Sequence, residues 1–172
     1  MGSFTGELNL ESLKNIGINY TLVGHYERRK IMYEEYEMAK EKLFKSLSSK
    51  CQTILCVGEE KRMRKPFSYV KKELNFYLRS IESSSIKYLS IAYEPNWAIG
   101  TGDVQDISKI EQTVNLIKDY VHKKYNFEVE VYYGGSINGE NIKAIYDVCD
   151  GVVLGKISTD YKSLNNLLSN IK

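Results

Sequence analysis

Apolar residues along this chain fall into two alternating rhythms. Some runs are continuously apolar, β-branched or aromatic: Tyr20–Val23, Thr53–Val57, Tyr88–Tyr93, Val129–Tyr133 and Gly151–Leu154. Runs of that length and texture suit strands of a parallel sheet buried on both faces. Between them the apolar positions recur at helical spacing. Tyr36, Ala39, Leu43 and Leu47 share one face, and Val70, Leu74, Tyr77, Leu78 and Ile81 share another, behind Pro66 at a first-turn position. Ile110, Val114, Ile117 and Val121 form a third stripe, with Asp106 as its candidate N-cap. Ile142 and Ile145 follow Asn138, and Leu164, Leu167 and Ile171 close the chain. A short opening helix from Leu10 to Ile16 is predicted to stop at Gly17, a common residue just past a helix end. Strand and helix alternating through short connections predict βαβ units with right-handed crossovers, hence an α/β fold. No linker-like stretch divides the chain, so residues 1–172 read as a single domain.

Composition narrows the function classes. A chain of 172 residues, 42% hydrophobic and 27% charged, suits a soluble globular domain with its own core. A net charge of +2 gives no electrostatic case for a nucleic-acid partner. No apolar run approaches the ~20 residues of a membrane span. The opening Met-Gly-Ser-Phe-Thr-Gly-Glu has neither the basic region nor the apolar stretch of a secretory signal. Met1-Gly2 begins a myristoylation pattern, but Gly6 stands where Ser or Thr belongs. Cys51, Cys56 and Cys149 are an odd set with no Cys-x-x-Cys, which favours reduced cytosolic thiols over disulfides or a metal site. The one charge block, Lys61-Arg62-Met63-Arg64-Lys65, reads as a solvated loop.

The chemistry concentrates at the ends of the predicted strands. Tyr88–Tyr93 ends on Glu94, and Pro95 then stops the strand before Asn96, Trp97, Ala98, Ile99, Gly100, Thr101 and Gly102. A carboxylate at a strand tip is placed either as a general base or as an N-cap or ion-pair partner. His25 follows Gly24 just after Tyr20–Val23; a lone histidine is more often a hydrogen-bonded structural residue than a catalyst. Gly134-Gly135-Ser136 after the fourth apolar run lets backbone amides approach a ligand closely, although a bare Gly-Gly-Ser turn is weak evidence. Gly155 and Lys156 follow the last strand, where the amide or the lysine side chain can meet an anion. Cys56, taken alone, is a small apolar filler.

These stretches together resemble the triosephosphate isomerase family. Ala92-Tyr-Glu-Pro-Asn-Trp-Ala-Ile-Gly-Thr-Gly102 resembles its base-and-lid string, with Asn96 where an aliphatic residue is usual. Gly24-His25-Tyr26-Glu27-Arg28-Arg29 resembles Gly-His-Ser-Glu-Arg-Arg, with Tyr26 in place of a small serine. Cys56-Val-Gly-Glu59, Tyr133-Gly-Gly-Ser136 and Phe4-Thr-Gly-Glu7 also match, and Gly155-Lys156 stands where the family usually has two glycines. The resemblance implies that Glu94 is the catalytic base and His25 the electrophile that polarises a substrate carbonyl. Residues 95–102 would be the lid over them. Glu27, Arg28 and Cys56 would support the pair, and Tyr133 and Ser136 would latch the lid. Gly100, Ser136, Gly155 and Lys156 would bind phosphate. Thr5 would touch the partner of a homodimer. These roles are the family enzyme's own, taken from the resemblance rather than from spacing.

The implied reaction interconverts dihydroxyacetone phosphate and glyceraldehyde 3-phosphate through an enediolate, as in glycolysis and gluconeogenesis in the cytoplasm, with no metal or organic cofactor. The implied fold is a partial TIM (β/α)8 barrel, a truncated domain of five units matching the family's fourth to eighth strands. The family's lysine after its first strand then has no counterpart here. That leaves as alternatives an inactive truncated paralogue, or half of a split enzyme completed by an N-terminal chain, binding phosphate or mediating assembly. Another barrel isomerase or lyase acting on phosphosugars is compatible with the phosphate loops but not with the lid string.

Overall fold

A computed structural model describes residues 5–171. Its elements run α1 (Leu10–Asn15), β1 (Tyr20–Val23), α2 (Tyr26–Lys30), α3 (Tyr36–Ser48), β2 (Gln52–Val57), α4 (Phe67–Tyr77), β3 (Leu89–Tyr93), α5 (Ile107–Tyr125), β4 (Val131–Tyr133), α6 (Ile142–Tyr146), β5 (Gly151–Val152) and α7 (Tyr161–Ser169). The strands form one parallel five-stranded sheet in the order β1-β2-β3-β4-β5. Val23 pairs with Leu55, Val57 with Tyr93, Tyr93 with Tyr133 and Tyr133 with Val152. This register brings the C-terminal strand ends to one rim, so the loops that follow them share one surface. The α/β expectation holds. Among the described residues no helix is long and apolar enough to cross a membrane.

The helical stripes read from the sequence become the packing faces. Leu43 and Leu47 of α3, Val70 and Leu74 of α4, and Ile110, Val114, Ile117 and Val121 of α5 are buried in one core with Leu55, Ile91 and Val131. Burying side chains of this size contributes roughly 1.5–3 kcal/mol each before entropy is subtracted. Side-chain caps hold two ends: Asn9 accepts from the Ser12 amide at 2.7 Å and Asp160 from the Ser163 amide at 2.8 Å. Asp106 takes the N-cap position of α5 without a cap bond; its carboxylate pairs with Lys109 at 3.3 Å instead. The helix closes on Asn126 in the left-handed region.

One expectation needs correction. The strands are not all buried on both faces. Central β2 and β3 are, but Tyr20 and Leu22 of edge strand β1 are 64% and 46% exposed. Thr21, between them, turns inward and meets Ser46 of α3 at 3.0 Å; on the opposite face much of Tyr20 and Leu22 stays open to solvent. The structure also adds α2, which the apolar pattern does not mark. Its single turn and a half carries no apolar stripe, and it forms directly after His25.

Ile117→Ala should therefore cost about 2–5 kcal/mol, seen as a lower urea midpoint at unchanged slope. Leu22→Ala should change stability by less than ~0.5 kcal/mol. Equal effects at the two positions would contradict the core described here.

Candidate functional site

Glu94 is the first residue past β3, yet its backbone stays in the sheet. Its amide donates to the Val57 carbonyl at 2.8 Å, and the Asn96 amide donates to the Glu59 carbonyl at 2.9 Å. The side chain is 3% exposed. Two glycines from neighbouring strand ends close on it. A Cβ at Gly58 would overlap the Glu94 carbonyl, and one at Gly134 would lie 2.8 Å from Glu94 Oε1. Glycine is needed here for close approach, since the backbone angles of Gly58 and Gly134 are not in the left-handed region.

His25 closes the third side. It stands between β1 and α2, and its Nδ1 lies 2.8 Å from Glu94 Oε2. With its proton on Nδ1, the imidazole donates to the carboxylate. That hydrogen bond raises the His25 pKa above the ordinary value of 6.5; burial opposes the rise, and the charges of Glu94 and Glu27 add to it. Cys56 Sγ lies 4.0 Å from the same nitrogen. Burial pushes its thiol pKa well up, and the neighbouring Glu94 pushes it further, so Cys56 stays protonated and unreactive. The donor atoms of His25, Cys56 and Glu94 lie within 4.8 Å of one another, a spacing that can hold a metal ion.

A buried network fixes this arrangement from outside the sheet. Glu73 of α4 accepts from the Gly58 amide at 2.8 Å and pairs with Arg29 of α2 at 3.1 Å; the Tyr36 hydroxyl donates to it at 3.2 Å. Burial raises the Glu73 pKa to about 7, and Arg29 and the Gly58 amide hold it from rising further. One carboxylate thus ties the His25-bearing helix to the glycine that seats Glu94. Arg29, not Arg28, makes this link. Arg28 turns outward to Glu7 at 2.9 Å and Glu34 at 3.0 Å, where Lys42 joins both carboxylates. Glu27 is exposed and near enough to His25 only to act through its charge.

Residues 95–104 fold back over the site. Pro95, Asn96 and Ala98 are buried, Trp97 and Ile99 partly so, and Gly100, Thr101 and Gly102 are exposed. Gly100 and Gly102 take φ of +69° and +83°, which only glycine adopts without strain. Ser136 Oγ donates to the Ala98 carbonyl at 2.6 Å and accepts from the Gly102 amide at 3.0 Å. The Gln105 amide donates to the Tyr133 hydroxyl at 3.4 Å. Glu59, which spacing alone did not mark for a role, is fully buried beneath the loop. It accepts from Trp97 Nε1 at 3.0 Å, from the Tyr93 hydroxyl at 3.2 Å and from Gln105 Nε2 at 3.3 Å. Gly155 and Lys156 lie exposed past β5 on the same rim, and no hydrogen bond among the described residues links them to Glu94 or to the loop. Thr5 sits in an exposed turn, and Phe4 lies outside the described residues.

A family model described as triosephosphate isomerase matches residues 1–171. The triosephosphate isomerase of Mycoplasma genitalium is 38% identical over 168 residues, covering 94% of this chain and 68% of the relative. That of Alkaliphilus metalliredigens is 37% identical over 166 residues, covering 91% and 67%. That of Orientia tsutsugamushi strain Boryong is 34% identical over 176 residues, covering 99% and 70%.

The contact between His25 and Glu94 gives a pH signature. A raised folded-state pKa means that the stabilisation is complete below about pH 6.5 and is lost as pH rises through the higher folded value. In an NMR titration His25 should show a midpoint above 6.5, and Glu94→Gln should bring it to 6.5 or lower. An unchanged midpoint in Glu94→Gln would mean that the pair does not form.

Proposed function

This chain belongs to the triosephosphate isomerase family, and on that premise we propose that Glu94 and His25 carry out its proton transfer. The chain is an isomerase whose substrate is a triose phosphate. The observation that carries the residue assignment is Glu94 itself: a carboxylate buried between Gly58 and Gly134, facing His25, under a loop held by Ser136. Glu94 takes a proton from the carbon beside the substrate carbonyl, an enediolate forms, and the proton returns to the neighbouring carbon. Closure of residues 95–102 keeps water out while this happens, which strengthens every charge interaction inside.

The contact between His25 and Glu94 sets the first step. His25 Nδ1 is occupied by Glu94, so a neutral ring leaves Nε2 without a proton to donate. Substrate entering between the two groups separates them. The imidazole is then free to place its proton toward the carbonyl oxygen, and its pKa falls as the carboxylate withdraws. Cys56 acts as packing behind the pair and not as a nucleophile. Gly100, Ser136, Gly155 and Lys156 form the phosphate end, with Gly155 and Lys156 drawn in by the ligand. Arg28 serves the site at one remove, by tying α2 to Glu7, and Thr5 is read as the contact with a second subunit.

We read the five β/α units as units four to eight of an eight-unit barrel; the chain spans about two thirds of the length of its relatives. The remaining units would pair with the open edges at β1 and β5 and bring the lysine that the family places after its first strand. An isomerase assay on glyceraldehyde 3-phosphate tests both parts. Adding a polypeptide that carries the other three units should raise the rate ~10²-fold or more by supplying that cation. Glu94→Gln should lower kcat by about 10²–10⁴-fold with an unchanged far-UV spectrum. Full activity in a folded Glu94→Gln variant would overturn the assignment.

A further inference from the structure

Trp97 is the only tryptophan of the chain, and it is held from two sides. Its Nε1 donates inward to Glu59 at 3.0 Å. The Arg62 guanidinium lies over its ring, 4.2 Å from the centroid. The same guanidinium pairs with Asp103 at 3.2 Å. Trp97 precedes the two positive-φ glycines of the loop and Asp103 follows them, so one side chain bridges both stems across Gly100 and Gly102. Ser136 and Tyr133 fasten the loop from the segment at the end of β4, and Glu59 fastens it from below. Arg62 comes from the loop between β2 and α4, within the basic run that the sequence presents only as solvated charge. Arginine is well suited to such a bridge, because its planar group stacks on an indole and keeps an edge for a carboxylate, whereas an ammonium offers one point charge.

We propose that Arg62 is a positioning residue for the loop over Glu94, clamping Trp97 to Asp103 in the closed arrangement and releasing both when the loop opens. The proposal rests on the lid reading of residues 95–102 but not on turnover. Either contact alone is weak at an exposed site. Together they act on a loop that must open and close, where a weak brace is useful because a strong one would trap product.

Acrylamide quenching of Trp97 in the full chain, without ligand, tests this directly. Arg62→Ala should raise the quenching constant about twofold and shift the emission to longer wavelength, as expected when a stacked cation leaves an exposed ring face. Arg62→Lys should recover less than half of the change, since it restores the charge but not the stack. Asp103→Asn should loosen Trp97 as well, and adding it to Arg62→Ala should change nothing further. Quenching in a folded Arg62→Ala variant equal to that of the unaltered chain would overturn the clamp, and so would full recovery by lysine. Because these signals need no substrate, loss of isomerase activity with the predicted quenching pattern would count against the catalytic reading and not against Arg62.

Discussion

The site depends on one close approach, the fit of Glu94 between the glycine backbones at the ends of β2 and β4. No side chain fits at Gly58 or Gly134 while Glu94 keeps its place. A carboxylate so enclosed has few rotamers left and little water to solvate it, so it needs a built-in partner. His25 is that partner, at 2.8 Å. The geometry gives a carboxylate that is rigid, nearly dry and already matched to an imidazole. Preorganisation of this kind is what proton transfer at carbon requires.

The rest of the structure keeps that fit in register. The Glu73 carboxylate holds the Gly58 amide and, through Arg29, the helix that begins after His25. Glu59 plays the parallel part on the loop side, drawing together Tyr93, Trp97 and Gln105. Both carboxylates are buried, and burial raises both their pKa values. A charge in such a place is costly unless every oxygen is used, and here both oxygens of each carboxylate accept at least one hydrogen bond. These networks define where the loop and the strand ends must sit, more than they add stability. The loop itself has few apolar contacts at its tip and two glycines in it, which fits a segment that moves while its base does not.

Much of this was legible in the sequence, for physical reasons. The strands and the three large helices declare themselves because burial imposes a period on apolar residues. Glu94, His25 and the Gly-Gly-Ser turn follow strands, and parallel strands deliver their C-terminal ends to one rim. What escaped was long-range and polar. Nothing in the spacing of Glu73 shows that it reaches the Gly58 amide, and nothing in Arg28-Arg29 shows which arginine turns inward. Helix α2 was invisible because a single short turn carries no stripe. Asp106 has the right identity and position for a cap, yet Lys109 competes for its carboxylate. Tyr20 and Leu22 read as core because a strand's pattern does not say which of its faces is covered.

The proton transfer proposed for Glu94 is separable from complete turnover. Incubating the chain with dihydroxyacetone phosphate in deuterium oxide, and following the methylene protons by NMR, measures that step alone. Deuterium should enter beside the carbonyl with the unaltered chain and should not enter with Glu94→Gln. A ligand that binds the unaltered chain yet takes up no deuterium would contradict that role for Glu94.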